Sequence, residues 1–149
     1  MVTWPTCLKR TVISNDACRF GCRATEDMYH LFVACERYRE WRQETENRML
    51  EAVETRLASM QNLEADVLEI LTKAAKSIIS DDGAWPMSQS CYYLGYIPPF
   101  QHLLPKSINE LTSCRLCHSL ANRWHIESVR LASRIYGDLQ REMARRMDI

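Results

Sequence analysis

From Glu36 to Met60 the positions Tyr38, Trp41, Thr45, Met49, Val53, Leu57 and Met60 recur at steps of three and four residues. That period matches the helical repeat and predicts a long helix with one buried face. Arg and Glu alternate between these positions from Arg37 to Arg56, so the other faces read as solvated surface rather than a binding surface. Glu44 and Arg48 form a favourable i,i+4 pair there, and Glu40 and Glu44 an unfavourable one. A second helix is predicted from a cap at Asn62 to about Ser80, with Leu63, Val67, Leu68, Leu71, Ala74, Ala75 and Ile78 on its apolar face. Its acids come early and its lysines late, the order that complements a helix dipole. Two amphipathic helices with a short connection predict an antiparallel hairpin.

Ser107 and Glu110 have capping-box spacing, so a third helix is expected from Ile108 to about Ala121. It either continues or breaks near Asn122 before a last helix to about Met147. Trp124, Ser128, Leu131, Ile135, Leu139 and Met143 share one face of that last helix. Between the two helical halves, residues 84–106 are irregular and rich in aromatics and proline, with Trp85, Tyr92, Tyr93, Tyr96 and Phe100. Aromatics in such a loop either pack it onto helices or stack on unpaired bases, and packing is the commoner use. Asp81-Asp82-Gly83 reads as a helix stop and turn. It lacks the third carboxylate and the context of a polymerase metal site.

Residues 1–17 read as a lead-in, with Pro5, a short apolar patch at Thr11–Ile13 and turn chemistry at Ser14–Asp16. The units expected are therefore 1–35, lead-in and knuckle; 36–82, helical hairpin; 83–106, aromatic and proline-rich loop; and 107–149, C-terminal helices. Together they make one compact unit. The fold class expected is mainly α: a bundle of about four helices on which Cys18, Cys22, His30 and Cys35, residue types that ligate zinc, form a small N-terminal zinc knuckle.

Composition fits that picture. The 149 residues are 46% hydrophobic and 26% charged, as in a soluble globular chain long enough to bury a core. With 4 Gly and 5 Pro little of it suits a flexible linker. Net charge is zero, so a case for nucleic acid must rest on where the charges lie. No signal-like apolar run opens the chain and none is long enough to span a bilayer. An intracellular location, nuclear or cytoplasmic, is expected, with no membrane partner and no small-molecule substrate. In such a reducing compartment the 7 cysteines point to metal before disulfides.

The chemistry concentrates at Cys18, Cys22, His30 and Cys35, spaced C-x3-C-x7-H-x4-C. Three thiols and an imidazole so close in sequence suit the closed tetrahedral shell of a structural Zn²⁺. Gly21 precedes the second cysteine, where a tight metal-binding turn needs backbone freedom. Residues Thr25–Met28 are placed to cap a helical turn carrying His30. Leu31, Phe32 and Val33 are expected to dock the knuckle onto the following helix. Four protein ligands leave no open position, so the metal is expected to be structural and no catalytic residue is assigned.

Two further patterns stand out. Arg123, Arg130, Arg134, Arg141 and Arg145 align along one helical stripe, which reads as a salt-bridged surface or as a phosphate-tracking face. Glu127 and Asp138 lie in the same stripe, so part of its charge is paired internally. Cys114-x-x-Cys117-His118 has the spacing of a haem attachment site. A second zinc site using these residues or His125 is an alternative, and small buried thiols on a helix are the default reading.

The knuckle resembles the C-terminal cysteine-rich, zinc-binding motif of LINE-type non-LTR retrotransposon reverse transcriptases. The likeness runs through Cys18–Arg42: the four ligands, the acidic step before His30, His30-Leu31-Phe32, and an aromatic- and Arg-rich helix after Cys35. A weaker likeness to the C-terminal tails of fungal elements of this kind lies in Tyr92–Phe100 and Trp124–Arg146. The resemblance implies zinc held by Cys18, Cys22, His30 and Cys35 and a role in binding template RNA or target DNA. Arg19, Arg23 and the five stripe arginines are then the candidate contacts. The fingers, palm and thumb of a polymerase are missing, as are its aspartate motif and any recognisable endonuclease, so a detached tail without polymerase activity is expected. The alternative is a zinc-stapled helical scaffold for a protein partner.

Overall fold

Among the described residues, three α-helices carry the fold. The computed structural model describes residues 17–80 and 91–148. In chain order come an isolated antiparallel bridge between Ala17 and Thr25 and a π-helical turn, His30–Ala34. A 3-10 turn, Glu36–Tyr38, leads into α1, Arg39–Ala58. Then follow α2, Ala65–Ile78, two further 3-10 turns at Tyr92–Leu94 and Gln101–Leu103, and α3, Glu110–Met147. The chain is thus mainly α, with a small Cys/His knuckle beside a helical bundle. Asp81–Gly83, Trp85 and most of the expected lead-in lie outside the described residues.

The 38 residues of α3 extend about 57 Å at 1.5 Å per residue, well beyond the span of a small core. It is the spine against which α1, the π-helical turn and both loop turns pack, while α2 packs on α1. The sequence left a break at Asn122 open, and the helix runs straight through. Asn122 is exposed, and its weak helix preference costs only a few tenths of a kcal/mol. Leu120 and Trp124 on either side are fully buried, and their burial dominates.

The predicted apolar faces hold with a few exceptions. Tyr38, Met49 and Val53 of the first stripe are buried, as are Val67, Leu71, Ala74, Ala75 and Ile78 of α2. Leu68 and Met143, both expected inward, are exposed. Each lies at the margin of its helix's apolar arc, where helical drift carries a residue out of contact.

Both predicted caps are shifted. Asn62 does not cap α2: it has φ of 60°, the left-handed region that Asn tolerates in turns, and Glu64 is the N-cap. Ser107 does not cap α3, because its hydroxyl donates to Glu64 Oε1 at 2.6 Å. Asn109 takes the role instead, its Oδ1 accepting from the N–H groups of Leu111 and Thr112. The loop aromatics mostly pack. Tyr92 and Phe100 are buried, Tyr93 stacks on Phe32 at 4.9 Å between centroids, and Phe100 lies 4.6 Å from Trp124. Among the described residues Tyr96 is the exposed exception.

Candidate metal centre

The knuckle begins as a tight turn. Gly21 N–H donates to the Cys18 carbonyl at 3.1 Å, and Cys18 N–H to the Ala24 carbonyl at 2.8 Å. Gly21 has φ of +88°, a conformation that strains any L side chain. This turn brings Cys22 back beside Cys18. Asp27 then starts the helical turn: its Oδ1 accepts from the His30 N–H at 2.7 Å, the N-cap bond that orphan helical donors require. The Cys35 N–H closes the π-helical turn on the His30 carbonyl at 2.6 Å.

These local bonds converge four donors. One ligand atom each from Cys18, Cys22, His30 and Cys35 lies within 4.8 Å of the others, and this is the one such group found among the described residues. Cys18 Sγ and Cys22 Sγ each stand 3.8 Å from Cys35 Sγ, nearly twice the S–S length of a disulfide, about 2.05 Å. His30 is buried, and its Nε2 has no hydrogen-bond partner. A buried imidazole nitrogen left unpaired is costly, and a metal ion bound by it would remove that cost. The cluster can hold a metal ion.

The thiols are set apart electrostatically. Burial pushes the Cys35 thiol up to about 12, and the neighbouring thiols of Cys22 and Cys18 add to the rise. Cys22, half-buried, is lowered, chiefly by a backbone hydrogen bond from Glu36. A bound cation must therefore displace a proton from Cys35, which couples its binding to pH. Behind Cys35, Arg42 Nη2 donates to the Cys35 carbonyl at 2.7 Å. Burial holds the Arg42 guanidinium below its ordinary range.

The knuckle is fastened chiefly to the spine and the loop rather than to α1 alone. Phe32 is buried against Tyr92 and Tyr93, and the Tyr92 hydroxyl donates to the Phe32 carbonyl. Phe20 meets Tyr38 edge-on at 5.8 Å and lies under the Arg37 guanidinium at 4.4 Å. Arg37 and the Tyr38 hydroxyl both bond Asp138 of α3, at 2.7 and 2.9 Å.

The Asp138 carboxyl is held below the usual carboxylate range first by the Arg37 hydrogen bond, against the opposing effect of burial. A depressed folded pKa gives stability that is present above about pH 4, the unfolded value. That stability is lost as pH falls through the folded value. Asp138→Asn should cost about 1–2 kcal/mol at pH 7, the lower part of the range for charged hydrogen bonds, since Arg37 is partly solvated. Denaturant melts from pH 7 down to 3 should show the difference from wild type shrinking with acid. A difference independent of pH would refute the assignment.

The candidate nucleic-acid arginines are placed as follows. Arg19 pairs through its guanidinium and its backbone N–H with Glu26, and Arg23 is exposed. On α3, Arg123 and Arg130 each reach Glu127 at 3.1 Å, and Arg134 reaches Glu44 at 2.8 Å while covering the Trp41 ring. Arg141 lies 3.7 Å from Asp138 and Arg145 3.6 Å from Glu142. All five stripe arginines thus have a carboxylate neighbour. Glu44 spends itself on Arg134 of α3 instead of Arg48 one turn along its own helix, and Arg48 lies 3.9 Å from Glu127.

Sequence reasoning missed Glu127 as a core residue, although it is fully buried. The signal was there: it stands three residues after Trp124 and four before Leu131, on the apolar face. Arg42 was also missed, and nothing local marks it. Cys114 and His118 are exposed and Cys117 is buried, its thiol pushed up to about 11 by burial. Comparisons with protein-family models, with curated proteins and with solved structures found no match to this chain.

Proposed function

We propose that the four-donor cluster is a structural zinc site and that the chain is a zinc-stabilised nucleic-acid-binding module. In this reading it derives from the C-terminal region of a retroelement reverse transcriptase and has no polymerase activity of its own. The sulfur spacing carries the metal assignment. Zn–S bonds of about 2.3 Å in a tetrahedron place sulfurs about 3.8 Å apart, and both separations to Cys35 are 3.8 Å. Three thiolates and a neutral imidazole around Zn²⁺ leave one net negative charge, which Arg42 at the Cys35 carbonyl helps to balance. The zinc would fix the knuckle's shape and, with four protein ligands, leave no place for an activated water.

The distribution of charge supports nucleic acid as the partner. Helix α3 carries seven arginines against four carboxylates, within a chain of zero net charge. The carboxylates use only part of each guanidinium's five donors. Gel-shift titrations with single-stranded RNA at several salt concentrations test this. Binding should weaken steeply as salt rises, because phosphate contacts release counterions. Absence of binding, or binding indifferent to salt, would remove the reading.

One observation favours the second reading, a zinc-stapled scaffold for a protein partner. A groove of about 310 Å³ beside the knuckle is lined by apolar side chains, including Met28, Tyr93, Val129 and Tyr136. Met28, Val129 and Tyr136 are exposed, and clustered exposed apolar side chains mark interaction sites. Sedimentation showing a monomer at all concentrations and no protein captured by the wild type would count against it.

A further inference from the structure

A second concave surface has a different character. Between the C-terminal half of α1 and the Ser119–Arg123 turn of α3 lies a groove of about 480 Å³, a size that suits a small organic ligand. Three guanidiniums line it: Arg48, Arg56 and Arg123. Arg123 is fixed by Glu127 at 3.1 Å, but Arg48 only approaches that carboxylate, at 3.9 Å. Arg56 has no ion pair among the described residues, and its Nε is buried without a hydrogen-bond partner. Thr55 and Ser119 also line the groove, and Ala52 and Leu120 add apolar surface to it. Glu51 is the one carboxylate in the lining.

We infer that this groove binds a phosphate monoester, with Arg48, Arg56 and Arg123 around the phosphate and the organic part against Ala52 and Leu120. The charge balance supports an anion. Three positive groups face Glu51 in the lining and buried Glu127 behind it. The C-terminus of α1 opposes them with only about half a charge. Arg56 lines the groove with no ion pair among the described residues to neutralise it, and guanidinium forks match phosphate oxygens in pairs. A monoester dianion suits the site better than a diester, since its three terminal oxygens and double charge can engage three arginines together. Glu51 is placed to accept from a hydroxyl on the organic part. The inference does not rest on the zinc reading, shares Arg123 with the nucleic-acid reading of α3, and departs from the expectation that no small molecule is bound.

The terminal phosphate could belong to a free mononucleotide-sized compound or to the 5′ end of an RNA. Calorimetric titration of the full zinc-loaded chain separates these sources. Adenosine 5′-monophosphate should bind, inorganic phosphate should compete with it, and adenosine should not bind. Arg56→Gln should weaken binding at least about tenfold, or about 1.4 kcal/mol, with unchanged melting. Arg48→Gln provides a second variant should the first fail to fold. A short single-stranded RNA is then compared with and without its 5′-phosphate. A 5′-phosphate preference lost in Arg56→Gln assigns the RNA end. Binding of the mononucleotide alone assigns the small molecule. Either result supports the inference. Equal binding of adenosine and its monophosphate, wild-type affinity in both variants, or no binding of any phosphate probe overturns it. RNA binding that ignores both the 5′-phosphate and Arg56 overturns the RNA-end assignment and bears only on the α3 reading.

Discussion

Cys35→Ser is expected to empty the knuckle of metal and unfold it. The purified wild type should carry about one zinc per chain, and Cys35→Ser and His30→Ala close to none. Apparent binding free energies at structural zinc sites run to about 10–16 kcal/mol in isolated peptides, as large as the whole net stability of a typical domain, about 5–15 kcal/mol. The loss should stay largely local. Residues 17–38 hold together through the Gly21 turn, the Asp27 cap and the four donors, and join the buried core through Leu31, Phe32 and Tyr38, whereas most of that core comes from α1, α2 and α3. Hydrogen exchange should thus show protection lost through the knuckle and retained in Met49–Val53 and Leu116–Ile135. Cys22→Ser should behave likewise, and Cys114→Ser, remote from the cluster in sequence and exposed, should keep its zinc. Full zinc content and an unchanged melt in Cys35→Ser and His30→Ala would end the assignment.

Trp124→Ala should produce the largest loss in the bundle itself, about 3–5 kcal/mol by the usual cost of deleting a large buried aromatic. Trp124 has no exposed surface. Its indole Nε1 donates to the Met49 carbonyl of α1 at 3.2 Å, and its ring lies against Phe100 of the loop. One side chain thus joins α1, α3 and the aromatic segment. Trp124→Phe keeps most of the contact and loses the hydrogen bond, so it should cost about 1–2 kcal/mol. Urea melts of the two variants measure both values. A cost below about 1 kcal/mol for the alanine variant would show that the bundle does not depend on this joint.

The four donors were legible because their geometry is local. They fall within one short stretch, and a glycine turn and a helical cap coded beside them suffice to converge them. The helical faces were legible for the same reason, since periodicity alone decides which side of α1 or α2 can be buried. Caps were less so. Ser107 and Asn62 have the right side chains for N-caps. Ser107 instead bonds Glu64 across the fold and Asn62 takes up a left-handed turn, so Asn109 and Glu64 stand at the two caps.

Charge shows most clearly what spacing along the chain could not decide. The alignment of Arg123, Arg130, Arg134, Arg141 and Arg145 follows from the helical repeat alone, and so does the inward position of Glu127. Four of the five have a carboxylate three or four residues away on α3 itself, which the repeat also dictates; the partners that cross between elements do not follow from it. Glu44 and Arg37 reach α3 from about a hundred residues away in sequence, and only the packing of α1 on α3 brings them there. The same packing leaves Arg48 and Arg56 facing Arg123 across one groove, with Arg56 unpaired among the described residues. A sequence sets which residues share a helix face because the backbone repeat is fixed. Which charges neutralise one another across elements, and which remain for a ligand, depends on the distance between helices, and only the tertiary structure sets that distance.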